Sequence, residues 1–340
     1  MKFPAEEIKT LAEITRSARQ ISIITHHRPD GDAMGSSLGL WNYFRRKNIK
    51  SVVVTPSDYP DFLNWLPGNN EVISYEKDGA AAVEQLRNSD LIFCLDFNWL
   101  SRTEELEHVI RNSAAHKVLI DHHLDPEPAF RFIFSDTEAC STSELIYRFI
   151  DANTDTSVID KDIAECLYCG IMTDTNSFRY SSMKASVHRI IASLMDAGAE
   201  NYKIHERVYD TNSENRLRLI GYSLKEKLTV LPEFKTAFLS LSESELQMFN
   251  FRSGDTEGLV NYALSIDGIR LAAFFSERDG MIKISFRSKG DFSVKELSHR
   301  FFEGGGHKNA AGGKSTLPLH DTVHRFIGIL PYYKESLHQE

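Results

Sequence analysis

Short apolar runs alternate with helical periods through the first half of the chain. Ile21–Ile24, Ser51–Thr55, Leu91–Leu95 and 117–120 have the length and composition of strands, and 33–47, 80–88 and 103–112 the spacing of helices. Strands and helices in this alternation predict βαβ units around a parallel sheet. Val52-Val53-Val54 and Leu91 to Leu95 show no polar alternation, as strands covered on both faces require. Further helical periods cover 142–150, 161–172 and 184–197, the last ended by Gly198.

From 201 to 227 the pattern turns long, charged and helical, which reads as a connecting segment. After it, 234–241, 269–277 and 281–287 read as strands, with Arg278-Asp279-Gly280 as a hairpin turn. The expected fold class is α/β, with a parallel-sheet domain at 1–200, a helical linker at 201–228 and a smaller α/β domain at 229–340.

Composition narrows the picture. The chain has 340 residues, 41% hydrophobic and 26% charged, a length that suits two domains. It contains no apolar run of about 18 residues, the length a transmembrane helix needs. Its start, Met1-Lys2-Phe3-Pro4-Ala5-Glu6-Glu7, lacks the basic-then-apolar order of a signal peptide. A cytoplasmic protein without membrane association is expected. The 39 Lys and Arg against 48 Asp and Glu leave a formal charge of -9. That balance argues against a binder of long duplex nucleic acid, which needs a broad basic footprint, but allows a small basic pocket. Cys166 and Cys169 match C-x-x-C, yet lie inside an apolar helical period without a second pair, so they read as buried core thiols.

Polar groups crowd the ends of the apolar runs. Ile21–Ile24 leads into His26, Asp30 and Asp32; Leu91–Leu95 leads into Asp96; 117–120 leads into Asp121-His122-His123. Thr173-Asp174-Thr175 stops the apolar run of the helix at 161–172. A single aspartate there would be a cap or turn residue. Four such clusters at equivalent edges of an open sheet face one crevice. Gathered carboxylates repel one another, and divalent cations remove that cost. Asp30, Asp32, Asp96 and Asp174 carry four negative charges, matching two divalent ions, with neutral His26 and His122 completing the shell. Carboxylate with imidazole and no thiolate favours Mn²⁺ or Mg²⁺, with Zn²⁺, Co²⁺ or Fe²⁺ as alternatives. An EF-hand starting at Asp30 fails, because Met34 and Trp41 stand at ligand positions.

These motifs, with "GIMTDTNSFRY" around Asp174 and "FFEGGGHKNAAGG" at 301–313, resemble the ordered motifs of the DHH phosphoesterases and their DHHA1 substrate domain. The resemblance covers nearly the whole chain. It implies a metal pair, usually Mn²⁺, with His26, Asp30 and Asp96 on one ion and Asp32, Asp96, His122 and Asp174 on the other. Within the class, the chain is most similar to the stand-alone nano-RNase type, which degrades very short oligoribonucleotides and can act on the bisphosphorylated nucleotide pAp. A soluble phosphodiesterase for cyclic or linear dinucleotides is the enzymatic alternative, and a nucleotide sensor without turnover the non-enzymatic one.

Candidate roles follow. His123, beside a ligand, is the candidate for protonating the leaving group, with an orienting role as the alternative. Asp121 is expected to orient its neighbours. Gly304-Gly305-Gly306-His307 forms a loop whose backbone N–H groups can approach an anion. By resemblance Arg287 and His307 contact a substrate phosphate or base, with Asn309, Gly305 and Gly306 beside them. Arg179 faces phosphate or forms a structural ion pair. Gly313-Lys314-Ser315 ends like a Walker A loop, but Lys308 stands where that motif needs glycine. Expected partners are short oligonucleotides or nucleotides of about two to four units, with a homodimer left open.

Overall fold

The computed structural model describes residues 4–153, 156–180, 183–252 and 254–339. Two compact units divide the chain, Met1–Thr211 and Asn212–Glu340.

The first unit runs α1 (Ala5–Ser17), β1 (Ile21–Ile24), α2 (Gly31–Arg46), β2 (Ser51–Thr55), β3 (Ile73–Ser74), α3 (Gly79–Arg87) and β4 (Leu91–Leu95). It continues with α4 (Glu107–Asn112), β5 (His116–Asp121), β6 (Phe132–Ser135), α5 (Thr142–Asn153), α6 (Lys161–Asp174), α7 (Ala185–Asp196) and α8 (Asn201–Tyr209). All pairings are parallel, in the order β3-β2-β1-β4-β5-β6. β1 and β4 are buried at every position; β4 is an unbroken apolar run, and β1 is interrupted only by Ser22, whose hydroxyl pairs with Ser89 Oγ at 2.7 Å. Alternate strand residues supply two cores. Ile21, Ile23, Phe93 and Val118 pack with α1, α2, α5 and α6, while Ile24, Val54, Ile92 and Leu119 face α3 and α4.

α2 and α6 approach closely enough that a Cβ on Gly35 would stand 2.6 Å from the Cys166 carbonyl oxygen. That contact draws Asp32 at the start of α2 and Asp174 at the end of α6 toward one place. Cys166 and Cys169 are buried free thiols, as the apolar helical period predicts.

The second unit runs α9 (Glu214–Tyr222), β7 (Leu228–Leu231), β8 (Thr236–Leu241), α10 (Glu243–Met248), α11 (Leu259–Ser265), β9 (Leu271–Arg278) and β10 (Met281–Ser288). α12 (Val294–Phe301), β11 (Gly305–Gly306), β12 (Ala310–Ser315) and α13 (Leu319–His338) complete it. Its mixed sheet has the order β11-β12-β10-β9-β8-β7. Left-handed Asp279 and Gly280, φ 52° and 73°, make the tight turn between β9 and β10.

The segment 201–228, expected to be a linker, is divided between the two units. Ile204 and Val208 of α8 join the core of the first, and Leu219 of α9 joins that of the second. Its charged faces printed a helical period, but each helix also carries an apolar stripe that docks on its own unit. The helix expected over 103–112 is a 3₁₀ segment, Leu100–Leu106, kinked at Glu104, before α4 begins.

Candidate metal centre

β1 and β4 are the neighbours at which the strand order reverses, and an open parallel sheet forms its crevice there. His26 lies just beyond β1, Asp96 directly follows β4, and Asp121 ends β5 ahead of His122 and His123. Asp30 caps α2, its Oδ1 accepting the N–H groups of Asp32 and Ala33 at 3.0 and 3.1 Å. Asp96 holds a left-handed backbone, φ 66°, an uncommon state for a non-glycine residue that clusters at functional sites.

The six expected ligands form two groups. Ligand atoms of His26, Asp30 and Asp96 lie within 4.8 Å of one another, as do those of Asp32, His122 and Asp174. Asp96 stands between the groups. Its Oδ2 is 3.7 Å from His26 Nε2, and its Oδ1 is 3.5 Å from His122 Nε2. His122 Nε2 is also 3.7 Å from Asp174 Oδ2 and 4.0 Å from Asp32 Oδ2.

Burial pushes Asp32 well above the usual carboxylate range, and the charges of Asp96 and Asp174 add to the rise. Burial pushes Asp174 up to about 6 against the pull of His122, with Asp96 adding to it. Asp96 goes the other way: burial is overcome by the contacts with His122 and His26, which hold it well below. At His122 burial is likewise outweighed by Asp96, Asp174 and Asp32, and the imidazole is driven up. Several carboxylates here compete for two imidazoles, so the cluster is short of positive charge. Carboxylate and imidazole donors fit divalent cations, which would supply that charge.

Residues the sequence did not single out hold the cluster in place. The N–H groups of Thr142 and Ser143, in the first turn of α5, donate to Asp32 Oδ2 and Oδ1 at 2.6 and 2.9 Å. Thr142 Oγ1 donates to Asp96 Oδ1 at 2.9 Å. A signal existed. Ser141-x-x-Glu144 opens a helix, with Ser141 Oγ accepting the Glu144 N–H at 3.0 Å, and the free N–H groups of a helix start seek an anion.

His123 borders the two groups, its Nδ1 3.9 Å from Asp96 Oδ1. Its Nδ1 is 2.7 Å from Asp121 Oδ1, and its ring lies edge-on to His122 at 4.8 Å. Past Asp174 the chain takes three successive left-handed residues, Asn176, Ser177 and Phe178, with φ 49°, 59° and 64°. Such a residue costs about 1–2 kcal/mol without glycine, which contacts around the turn have to offset. Arg179 follows it, exposed.

In the second unit, Gly306 needs its glycine: φ is 138°, and a Cβ would sit 2.6 Å from the Ala310 carbonyl oxygen. Gly305 has open space above it. The His307 N–H donates to Ala310 O at 2.8 Å. Arg287 Nη1 donates to Phe286 O at 3.0 Å, while its Nε is buried without a hydrogen-bond partner among the described residues. The Asn309 amide nitrogen is engaged internally, donating to Ser288 Oγ and Gly290 O at 2.9 Å each. It pins the loop after β10.

The profile of the DHH family, N-terminal domain, matches residues 20–171, and that of the DHHA1 domain matches 241–327. A solved structure of an exopolyphosphatase-related protein from Bacteroides fragilis is 39% identical, with a TM-score of 0.95 over 99% of this chain and 98% of that one. The chain belongs to the DHH family. Two relatives named bifunctional oligoribonuclease and PAP phosphatase NrnA are also similar to this DHH-family chain. The Bacillus subtilis protein is 29% identical over 292 residues, covering 84% of this chain and 86% of its own. The Thermus thermophilus protein is 28% identical over 337 residues, covering 98% and 95%.

Proposed function

We propose that this DHH-family chain is a two-metal phosphoesterase that hydrolyses short oligoribonucleotides to mononucleotides and also removes phosphate from pAp. One observation carries the reading: the two carboxylate oxygens of Asp96 face different histidines, each belonging to its own ligand group. That is the disposition a bridging carboxylate needs. The substrate class rests on the two oligoribonuclease and PAP phosphatase relatives, which align over most of their own length.

His26, Asp30 and Asp96 would hold one ion, and Asp32, Asp96, His122 and Asp174 the other, with Mn²⁺ the proposed metal and Mg²⁺ or Co²⁺ as substitutes. When bound, the ions supply charge neutralisation and Lewis acidity to a phosphoryl group. Asp121 orients the His123 ring through Nδ1, and His123 would exchange a proton with the leaving oxygen. Asp32 is oriented by the two N–H groups at the start of α5, which donate to both of its oxygens. Arg287, His307 and the open floor at Gly305 would receive substrate phosphate and base, with Arg179 a further cation for phosphate. The proposed setting is the cytoplasm. Among the described residues no helix is long and apolar enough to cross a membrane.

The test is a metal-supplemented panel of dinucleotide, short oligoribonucleotides, pAp, cyclic dinucleotide and short DNA, run on the wild type and Asp96→Ala. Mn²⁺-dependent release of mononucleotide from dinucleotide is expected, with activity and bound metal both lost in Asp96→Ala. Full metal occupancy by elemental analysis in an Asp96→Ala protein with wild-type turnover would overturn the two-metal site. Turnover of cyclic dinucleotide alone would move the substrate assignment to the alternative class.

A further inference from the structure

Asp174 is the last residue of α6, and its position depends on how the chain leaves that helix. The exit is unusual, because Asn176, Ser177 and Phe178 form one left-handed turn without a glycine. Backbone bonds close it: the Ser177 N–H donates to Met172 O at 2.8 Å, and the Arg179 N–H to Thr175 O at 2.9 Å. The Phe178 N–H donates to Thr175 Oγ1 at 3.0 Å. Such bonds close many turns. What is particular here is the side chain that meets two of the three left-handed residues.

That side chain is His205, on α8. Its Nε2 lies 3.1 Å from Ser177 Oγ, in the middle of the turn. Its ring stands 6.1 Å from the Phe178 ring, which is itself edge-on to Tyr168 at 5.5 Å. Tyr168 and Tyr209 flank His205 at 6.1 and 6.0 Å. His205 Nδ1 lies 2.8 Å from Asn201 O. A carbonyl can only accept, so Nδ1 carries the hydrogen, and in the neutral ring Nε2 accepts from the Ser177 hydroxyl. α8 is a firm base for this contact. Ile204 and Val208 are in the core, and the Arg207 guanidinium lies over the Trp65 ring at 4.8 Å.

We infer that His205 is a positioning residue for the metal centre: by holding Ser177 and Phe178 in the left-handed turn, it sets Asp174 against His122 and Asp32. This rests on the proposal that Asp174 holds a metal. A histidine in the charged segment 201–227 therefore acts on a site whose other members come from strand ends, the start of α2 and α6.

Mn²⁺ binding to the full chain, measured by calorimetric titration without substrate, tests it. His205→Ala is expected to weaken the ion at the Asp32–His122–Asp174 group by about 10–100-fold, the usual effect of removing an outer hydrogen-bond partner, while the other ion binds as before. Excess Mn²⁺ should then restore most of kcat. His205→Gln, whose Oε1 can accept from Ser177, should recover most of the affinity. Ser177→Ala should lose part of it, and His205→Ala/Ser177→Ala should be no worse than His205→Ala. Wild-type binding of both ions in His205→Ala would overturn the inference, as would a His205→Gln protein that folds normally and binds as poorly as His205→Ala. Asp174→Ala is the control. If it leaves binding of both ions unchanged, the ligand assignment itself falls; if it removes one ion and His205→Ala does not, only the inference falls. Should His205→Ala fail to fold, Ser177→Ala carries the test, and unchanged ion binding in it is the overturning result.

Discussion

Asp121 grips His123 twice, its Oδ1 2.7 Å from the ring Nδ1 and its Oδ2 3.1 Å from the backbone N–H. The carboxylate is fully buried and the imidazole partly exposed, so a buried anion fixes the orientation of the ring. This is the arrangement of an oriented proton donor. His123→Ala should keep its metal and lose about 10²–10⁴-fold in rate if the ring serves as general acid. Asp121→Asn should fall between it and the wild type. A substrate with an activated leaving group needs little protonation and should be hurt far less. Equal damage to both substrates would exclude the acid role.

Thr142 makes a prediction about metal rather than chemistry. Its hydroxyl donates to Asp96 Oδ1, the oxygen that also faces His122. Thr142→Val keeps the shape and removes the donor, so affinity for metal should fall about 10–100-fold with the fold intact. Thr142→Ser should stay near the wild type. Calorimetric Mn²⁺ titration reads the difference, and a valine variant that binds like the wild type would strip Thr142 of this role.

Length preference should trace to the second unit. If Arg287 and His307 receive substrate, then Arg287→Ala and His307→Ala should each raise KM and flatten the dependence of kcat/KM on oligomer length, with metal content unchanged. The wild type should peak at about two to four nucleotides, where binding energy goes into the transition state. A kinetic series from dinucleotide upward checks this. Degradation of long single strands at the dinucleotide rate would refute the preference.

The second unit also carries a pH-dependent clamp. Glu245 Oε1 accepts from Lys227 Nζ at 2.6 Å and from Tyr222 OH at 2.7 Å, and Oε2 accepts from the Ser242 N–H at 2.9 Å. Burial works to raise this carboxyl, but these contacts dominate and hold it down at about 2, against an ordinary 4.5. A depressed folded value means stability fully present above about 4.5 and lost progressively as pH falls toward 2. Glu245→Gln should therefore be less stable than the wild type at pH 7, and the gap should close on acidification. Denaturant midpoints from pH 7 to 2.5 measure it. A gap independent of pH would show that the charge contributes nothing.

How much of this was legible before the fold was known depended on range. β1, β2 and β4 match the strand runs read from the sequence residue for residue, because a parallel strand covered on both faces is mostly apolar along its length. The two-residue β3 and the short β6 left no comparable signature. Aspartates and histidines directly after such strands also stood out, since nothing in a core or a simple turn accounts for so many. Those features are local, and local spacing carries them.

Contacts between distant segments are different. Thr142 meets Asp96 across 46 positions, and His205 meets Ser177 across 28. Neither pairing leaves a period in the sequence, because a hydrogen bond between elements depends on how their axes pack rather than on residue order. The same holds for α8 and α9, whose charged faces printed one continuous helical segment although their apolar stripes dock on different units. Sequence by itself determined which carboxylates and imidazoles to propose as metal ligands and near which strand and helix ends they stand. Tertiary structure alone decided which carboxylate oxygen faces which imidazole, and which hydroxyls and rings hold them there, because those are distances set by packing.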